Sequence, residues 1–218
     1  MITAATSPAG AGCAGLGFRL LTGLAHSTVW LNPAMEFWTN AGLGVFALLA
    51  TLAWWCSRRR GPRAVALAAG VPAAVGAAFL LTELIKDAVA EPRPCRALAH
   101  SYIVETCPAA HDYAFPSGHV TVAAATAAAL ALVHRPLAAI AAGFAVFEAF
   151  TRVYLGAHYP YDVLGAAVIA APVALVVCWI FGRATTPVAM RASIGILRVL
   201  ITAPSTRRAS DPPTDRLE

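Results

Sequence analysis

The chain has 218 residues, 59% of them hydrophobic and 12% charged, with a formal net charge of +5. A soluble domain averages about 25% charged residues, so the first expectation is a membrane protein. The basic residues form no patch with interleaved aromatics, which argues against nucleic acid as a partner.

Met1 to Gly12 carries no basic residue ahead of an apolar core, so no cleaved signal peptide is expected. Residues 14–30 are apolar but hold Arg19 and His26. They read as a helix lying in the membrane interface, with Arg19 reaching the headgroups. Five apolar runs follow, at 31–56, 64–89, 118–133, 136–155 and 162–182. Each is about the length a helix needs to cross a hydrocarbon core of roughly 30 Å, the third being short. Helix is required because lipid offers unpaired backbone groups no water. The expected fold is therefore all-α, a polytopic bundle of five transmembrane helices, or six if 14–30 also crosses. Residues 1–185 would form the membrane domain and 186–218 a cytoplasmic C-terminal segment. Within that segment, 186–201 reads as a surface helix, and the Pro, Ser, Thr, Arg and Asp content from about residue 203 reads as a disordered tail.

Eleven of the 16 basic residues fall on one side of such a bundle. They are Arg58, Arg59, Arg60 and Arg63 in the first link, Arg135 in the third, and Arg183, Arg191, Arg198, Arg207, Arg208 and Arg216 after the last span. The positive-inside rule assigns that side to the cytoplasm. The long link 90–117 then faces outward.

Five cysteines are too scattered for a zinc motif. Cys95 and Cys107 share the outward link, 12 positions apart; whether they pair is not readable from sequence. Cys56 and Cys178 are expected to pack in spans. His100 and His111 read as surface histidines, and His26 and His134 as structural ones.

The outward helix ends collect a distinctive set. Lys86, the only lysine, precedes Arg93-Pro94; Pro116-Ser117-Gly118-His119 opens the third span; Arg152, His158 and Asp162 sit at the junction of the last two. Three cations, Lys86, Arg93 and Arg152, suit the charge spread over a phosphoryl group. Ser117 is a candidate N-cap, which would aim the backbone N–H groups near Gly118 and His119 at an anion. Gly118 permits close approach of phosphate to the backbone. Asp162, four residues past His158, can hold one ring nitrogen and aim the other at phosphorus. His119 can protonate the leaving oxygen. Glu148, one turn before Arg152 on the same helix face, reads as its buried ion-pair partner or as a group tuning the phosphate site.

KDAVAEPRP at 86–94, PSGH at 116–119 and TRVYLGAHYPYD at 151–162 resemble, in order and internal spacing, the three motifs of the type 2 phosphatidic acid phosphatase superfamily. The one departure is Thr151 where that pattern has serine. Within the superfamily, EPRP, AFPSGH and GAHYPYDVLG look most like the bacitracin-resistance type of undecaprenyl pyrophosphate phosphatase. The resemblance implies His158 as nucleophile, Asp162 as its orienter, His119 as general acid, and a cradle of Lys86, Arg93, Ser117, Gly118, His119 and Arg152. It implies no metal and no other cofactor. The substrate implied is a lipid phosphate, best a polyprenyl diphosphate, with Arg96 a candidate contact to the second phosphate. Phosphatidic acid, phosphatidylglycerophosphate or a polyprenyl-phosphosugar is the alternative substrate. A non-catalytic lipid-binding or transport partner is the alternative of another class. The expected place is the plasma membrane, with the site on the outer face.

Overall fold

The structure, a computed structural model, describes residues 13–98 and 101–193. The expected tail, His100, Met1 to Gly12 and the end of the 186–201 segment lie outside the described residues. Among the described residues every regular element is helical, in the order α1 (Cys13–Ser27), a single 3-10 turn (Val29–Leu31), α2 (Asn32–Ala41), α3 (Leu43–Ser57), α4 (Pro62–Val89), α5 (Pro94–Ala97), α6 (Gly118–Val133), α7 (Arg135–Tyr154) and α8 (Pro160–Ala192).

Local chemistry sets the helix ends. Proline stands in the first turn of α4, α7 and α8, where its missing N–H costs no hydrogen bond. Gly61, at φ +98°, supplies the positive φ that turns the chain into α4. Pro72, Pro172 and Pro187 lie inside helices, which bundled membrane helices tolerate because neighbours re-satisfy the freed carbonyls.

The run at 31–56 is not one helix. It breaks at Gly42, where α2 and α3 meet at a 43° bend. The reason lies in its polar start: Asn32 and Thr39 of α2 are buried and hydrogen-bonded to other elements, so α2 is steered by partners that α3 lacks. The run at 162–182 also differs, since α8 continues through Gly182 to Ala192 and takes in part of the expected surface helix. Among the described residues three helices are long and apolar enough to cross a membrane, and four if the bent α2–α3 pair counts as one span. At 16 residues α6 falls short of that length. Helix α1, with 15 residues, rises about 22 Å.

Helix α6 lies at the centre, packed on α3, α4, α7 and α8. Its buried face is mostly alanine and threonine, and alanine recurs on the facing sides of α4, α7 and α8. Small residues allow close approach: a Cβ on Gly70 would stand 3.2 Å from the Cys178 carbonyl oxygen, and one on Gly182 would collide with a Leu67 methyl. Large apolar side chains such as Leu48, Leu80, Leu84, Val168 and Ile180 point outward, as expected where lipid is the solvent. Arg60 of the first link donates to the Val133 carbonyl at 2.7 Å, so the arginine-rich links share one end of the bundle. The C-termini of α4 and α7 and the N-termini of α6 and α8 meet at the other.

Candidate active site

At that second end the link 90–117 folds back over the helix ends. Cys95 and Cys107 form a disulfide with Cα atoms 5.9 Å apart. The N–H groups of Val104 and Glu105 both donate to the Leu155 carbonyl, at 3.0 and 3.1 Å. Ala114 N–H donates to the Glu91 carbonyl at 2.8 Å, and Ser117 N–H to that of Asp162 at 3.3 Å. Gly156, at φ +78°, turns the chain beneath Ile103, where a Cβ would come within 3.0 Å of a side-chain carbon. The link is thereby tied to the α7–α8 junction that carries His158.

His158 is buried. Its Nδ1 lies 2.8 Å from the Ala114 carbonyl oxygen and 3.5 Å from Asp162 Oδ2. The closer acceptor is thus a backbone carbonyl, while Asp162 Oδ2 accepts the Tyr159 N–H at 2.8 Å and closes the first turn of α8. With Nδ1 donating, Nε2 is left with its lone pair, and Arg93 Nη1 lies 3.2 Å from it. Burial first, then the positive charges of Arg152 and Arg93, holds His158 well below the ordinary imidazole value. The ring is therefore neutral near pH 7 and can act as a nucleophile.

The expected cations converge. Arg93 is buried and Lys86 nearly so, with Lys86 Nζ 3.7 Å from where a Cβ on Gly118 would stand. Gly118 is thus a gap between the ammonium and the start of α6. Arg152 is buried, and His119 on the first turn of α6 lies in the combined field of Arg152, Arg93 and Lys86. Ser117 is the N-cap of α6, but its fully buried hydroxyl caps nothing and has no hydrogen-bond partner among the described residues. Thr151 donates to the Glu148 carbonyl at 2.8 Å, within its own helix.

One assignment changes. Glu148 does not pair directly with Arg152. Thr39 stands between them, donating to Glu148 Oε1 at 2.9 Å and accepting from Arg152 Nη1 at 3.0 Å. The ion-pair partner of Arg152 is Glu105 of the outer link, at 2.7 Å. Arg96 is exposed and donates to the Pro108 carbonyl across the disulfide, so it braces the link.

Sequence reasoning missed Thr39, Glu105, Asp112 and the Ala114 carbonyl. Asp112 Oδ1 accepts from Arg93 Nη2 at 2.8 Å and lies 3.7 Å from Lys86 Nζ. Burial opposes its ionisation, but the hydrogen bond and charge of Arg93, with Lys86, outweigh that and hold its carboxyl below the ordinary value. For Glu105 and Asp112 the available signal was a carboxylate in the same link as Arg93; Thr39, in an apolar run, gave none.

The site therefore offers a neutral imidazole beside three cations, a second histidine, and an unused hydroxyl at a helix N-terminus. That set suits attack on a phosphoryl group. Comparisons with known proteins agree. The chain is 33% identical over 153 residues to the undecaprenyl-diphosphatase BcrC of Bacillus subtilis, covering 70% of this chain and 76% of that one. It is 35% identical over 89 residues to an undecaprenyl-diphosphatase of Sulfolobus acidocaldarius, covering 40% and 42%. The fold is similar to that of Aquifex aeolicus LpxE, with a TM-score of 0.56 at 23% identity, over 74% of this chain and 92% of that one. It is also similar to a PAP2-type phosphatidylglycerolphosphate phosphatase of Bacillus subtilis, with a TM-score of 0.52 at 20% identity, over 78% and 94%. Residues 67–186 match the PAP2 superfamily, and the chain belongs to it.

Proposed function

We propose that this chain is a membrane phosphatase that hydrolyses a polyprenyl diphosphate to the monophosphate, as in the recycling of a cell-wall lipid carrier. The observation that carries the reading is His158, whose Nδ1 is occupied by a carbonyl and whose Nε2 faces the cation cluster. In the first displacement Nε2 forms a bond to the terminal phosphorus while the bond to the bridging oxygen breaks. His119 gives that oxygen its proton, and Lys86, Arg93, Arg152 and the α6 N-terminus stabilise the charge on the equatorial oxygens. In the second, water attacks the phosphohistidine, His119 takes its proton, and phosphate leaves.

The likeness to proteins named undecaprenyl-diphosphatase supports the diphosphate. So does the described part of the outer link, which carries no separate domain to grip a glycerol or sugar head. The test is kcat/KM in detergent for a long polyprenyl diphosphate against phosphatidic acid, phosphatidylglycerophosphate and a polyprenyl-phosphosugar. The diphosphate should be hydrolysed fastest. A clear preference for another head group would overturn the substrate, and no phosphate release from any of them would favour a non-catalytic lipid-binding protein.

The same reading makes the α2–α3 pair, α4, α6, α7 and α8 five spans, with α1, which carries Arg19 and His26, lying in the interface. The site then faces outward from the plasma membrane and the C-terminus lies in the cytoplasm, on the arginine distribution.

A further inference from the structure

The cation cradle already holds two anions from the outer link, besides Glu83 of α4, whose Oε1 lies 3.0 Å from Lys86 Nζ. Asp112 Oδ1 bonds Arg93 Nη2 at 2.8 Å and lies 3.7 Å from Lys86 Nζ. Glu105 takes Arg152 with both carboxylate oxygens, at 2.7 and 2.8 Å. A carboxylate and a phosphate offer arginine the same forked acceptor geometry. A phosphate that bonds these guanidinium groups and the ammonium must therefore replace the carboxylates.

The link can release the side chains without itself leaving. The disulfide fixes Cys107, two residues from Glu105, and the Val104 and Glu105 amides are held by Leu155. The Asp112 carbonyl accepts from Arg93 Nε at 3.2 Å, and the Asp112 amide closes a turn onto Ala109. Both carboxylates hang from a fixed backbone and are themselves only partly buried, with side-chain exposures of 37% for Asp112 and 25% for Glu105. Rotation about their side-chain bonds is enough to carry them into water.

We propose that Glu105 and Asp112 are built-in competitors of phosphate. They fill the cradle when it is empty, so the buried cations are never left unpaired, and they resist retention of inorganic phosphate after turnover. They are specificity-determining residues of the same site, acting against the anion rather than on the reacting atoms. This inference rests on the cradle being the phosphate site.

The alternative is that the two carboxylates serve only to hold the arginines in place for phosphate. The two readings predict opposite signs. Inhibition by inorganic phosphate would be measured in detergent for the wild type, Asp112→Asn, Glu105→Gln and the double variant. Each is near-isosteric and still hydrogen-bonding, and each would first be checked for a monodisperse profile and an unchanged unfolding temperature. As competitors, their neutralisation tightens the inhibition constant of phosphate by roughly tenfold per site, equivalent to about 1.4 kcal/mol. An unchanged or weakened inhibition constant in the well-folded single variants overturns the proposal. Lys86→Met separates the two layers of the argument. Inorganic phosphate should raise the unfolding temperature of this variant in detergent less than it raises that of the wild type, and if the shift is unchanged, the cradle reading fails together with the inference built on it.

Discussion

The imidazole of His158 is oriented by the backbone of Ala114. Nδ1 stands 2.8 Å from that carbonyl oxygen and 3.5 Å from Asp162 Oδ2, whose nearer partner is the Tyr159 amide. The carbonyl alone fixes which ring nitrogen carries the proton. Where a carboxylate is the sole orienter, its conversion to an amide costs about 10⁴ in kcat, through the wrong tautomer. Here Asp162→Asn should cost far less, on the order of 10- to 100-fold, while His158→Ala should abolish turnover. Steady-state kcat of both variants decides the matter. A loss in Asp162→Asn as complete as in His158→Ala would return the orienting role to the carboxylate.

The pH profile follows from the same burial. Burial first, then Arg152 and Arg93, disfavours the imidazolium of His158, so its value lies well below the ordinary one. The neutral, nucleophilic form therefore persists as pH falls through about 6.5, the usual imidazole value. The acid limb of kcat/KM, which reports the free enzyme, should lie below that pH. A limb at or above it would mean that the ring is charged in the free site.

The three cation and histidine clusters were legible because each is a short motif with fixed internal spacing, and apolar run length places all of them at one bundle end. Helix α6 was legible to the residue, since Ser117-Gly118 opens it and His134-Arg135-Pro136 closes it. The bend at Gly42 was not, because a glycine in an apolar run, here Gly42 or Gly44, reads equally as a small packing residue. The pairings of Arg152 with Glu105 and of Arg93 with Asp112 depend on how the outer link folds. No periodicity or spacing encodes that. Glu148 illustrates the limit: its helix face was right, but the hydroxyl between it and Arg152 comes from α2, 109 residues away.

Activity should survive a chelator. Lys86, Arg93 and Arg152 supply the positive charge that a divalent ion brings to other phosphoryl-transfer sites. Vanadate, which adopts five-coordinate geometry, should inhibit competitively. Loss of turnover in chelator, restored by magnesium, would count against this.

Thr39 is the hydroxyl through which Arg152 is steadied against buried Glu148. Thr39→Val keeps the shape and removes both hydrogen bonds, leaving Glu148 Oε1 without its donor. The cost should be about 1–3 kcal/mol of stability, read as a lower unfolding temperature in detergent, with KM raised more than kcat is lowered. Thr39→Ser should recover most of both. If the serine variant behaves like valine, the effect is packing of the methyl group and not the bridge.

The Cys95–Cys107 bond closes the segment that carries Glu105. Chain-entropy estimates for a loop of about 15 residues give about 3 kcal/mol, so reduction, or replacement of both cysteines by serine, should lower the unfolding temperature. Activity should persist in part, because Val104 and Glu105 remain tied to Leu155. The same bond tests the membrane orientation, since a stable disulfide needs an oxidising compartment. In intact cells a membrane-impermeant maleimide should label this pair only after mild reduction, while a cysteine introduced at Arg59 in the arginine-rich link stays shielded. Labelling at position 59 together with protection of the reduced pair would place the site on the cytoplasmic face.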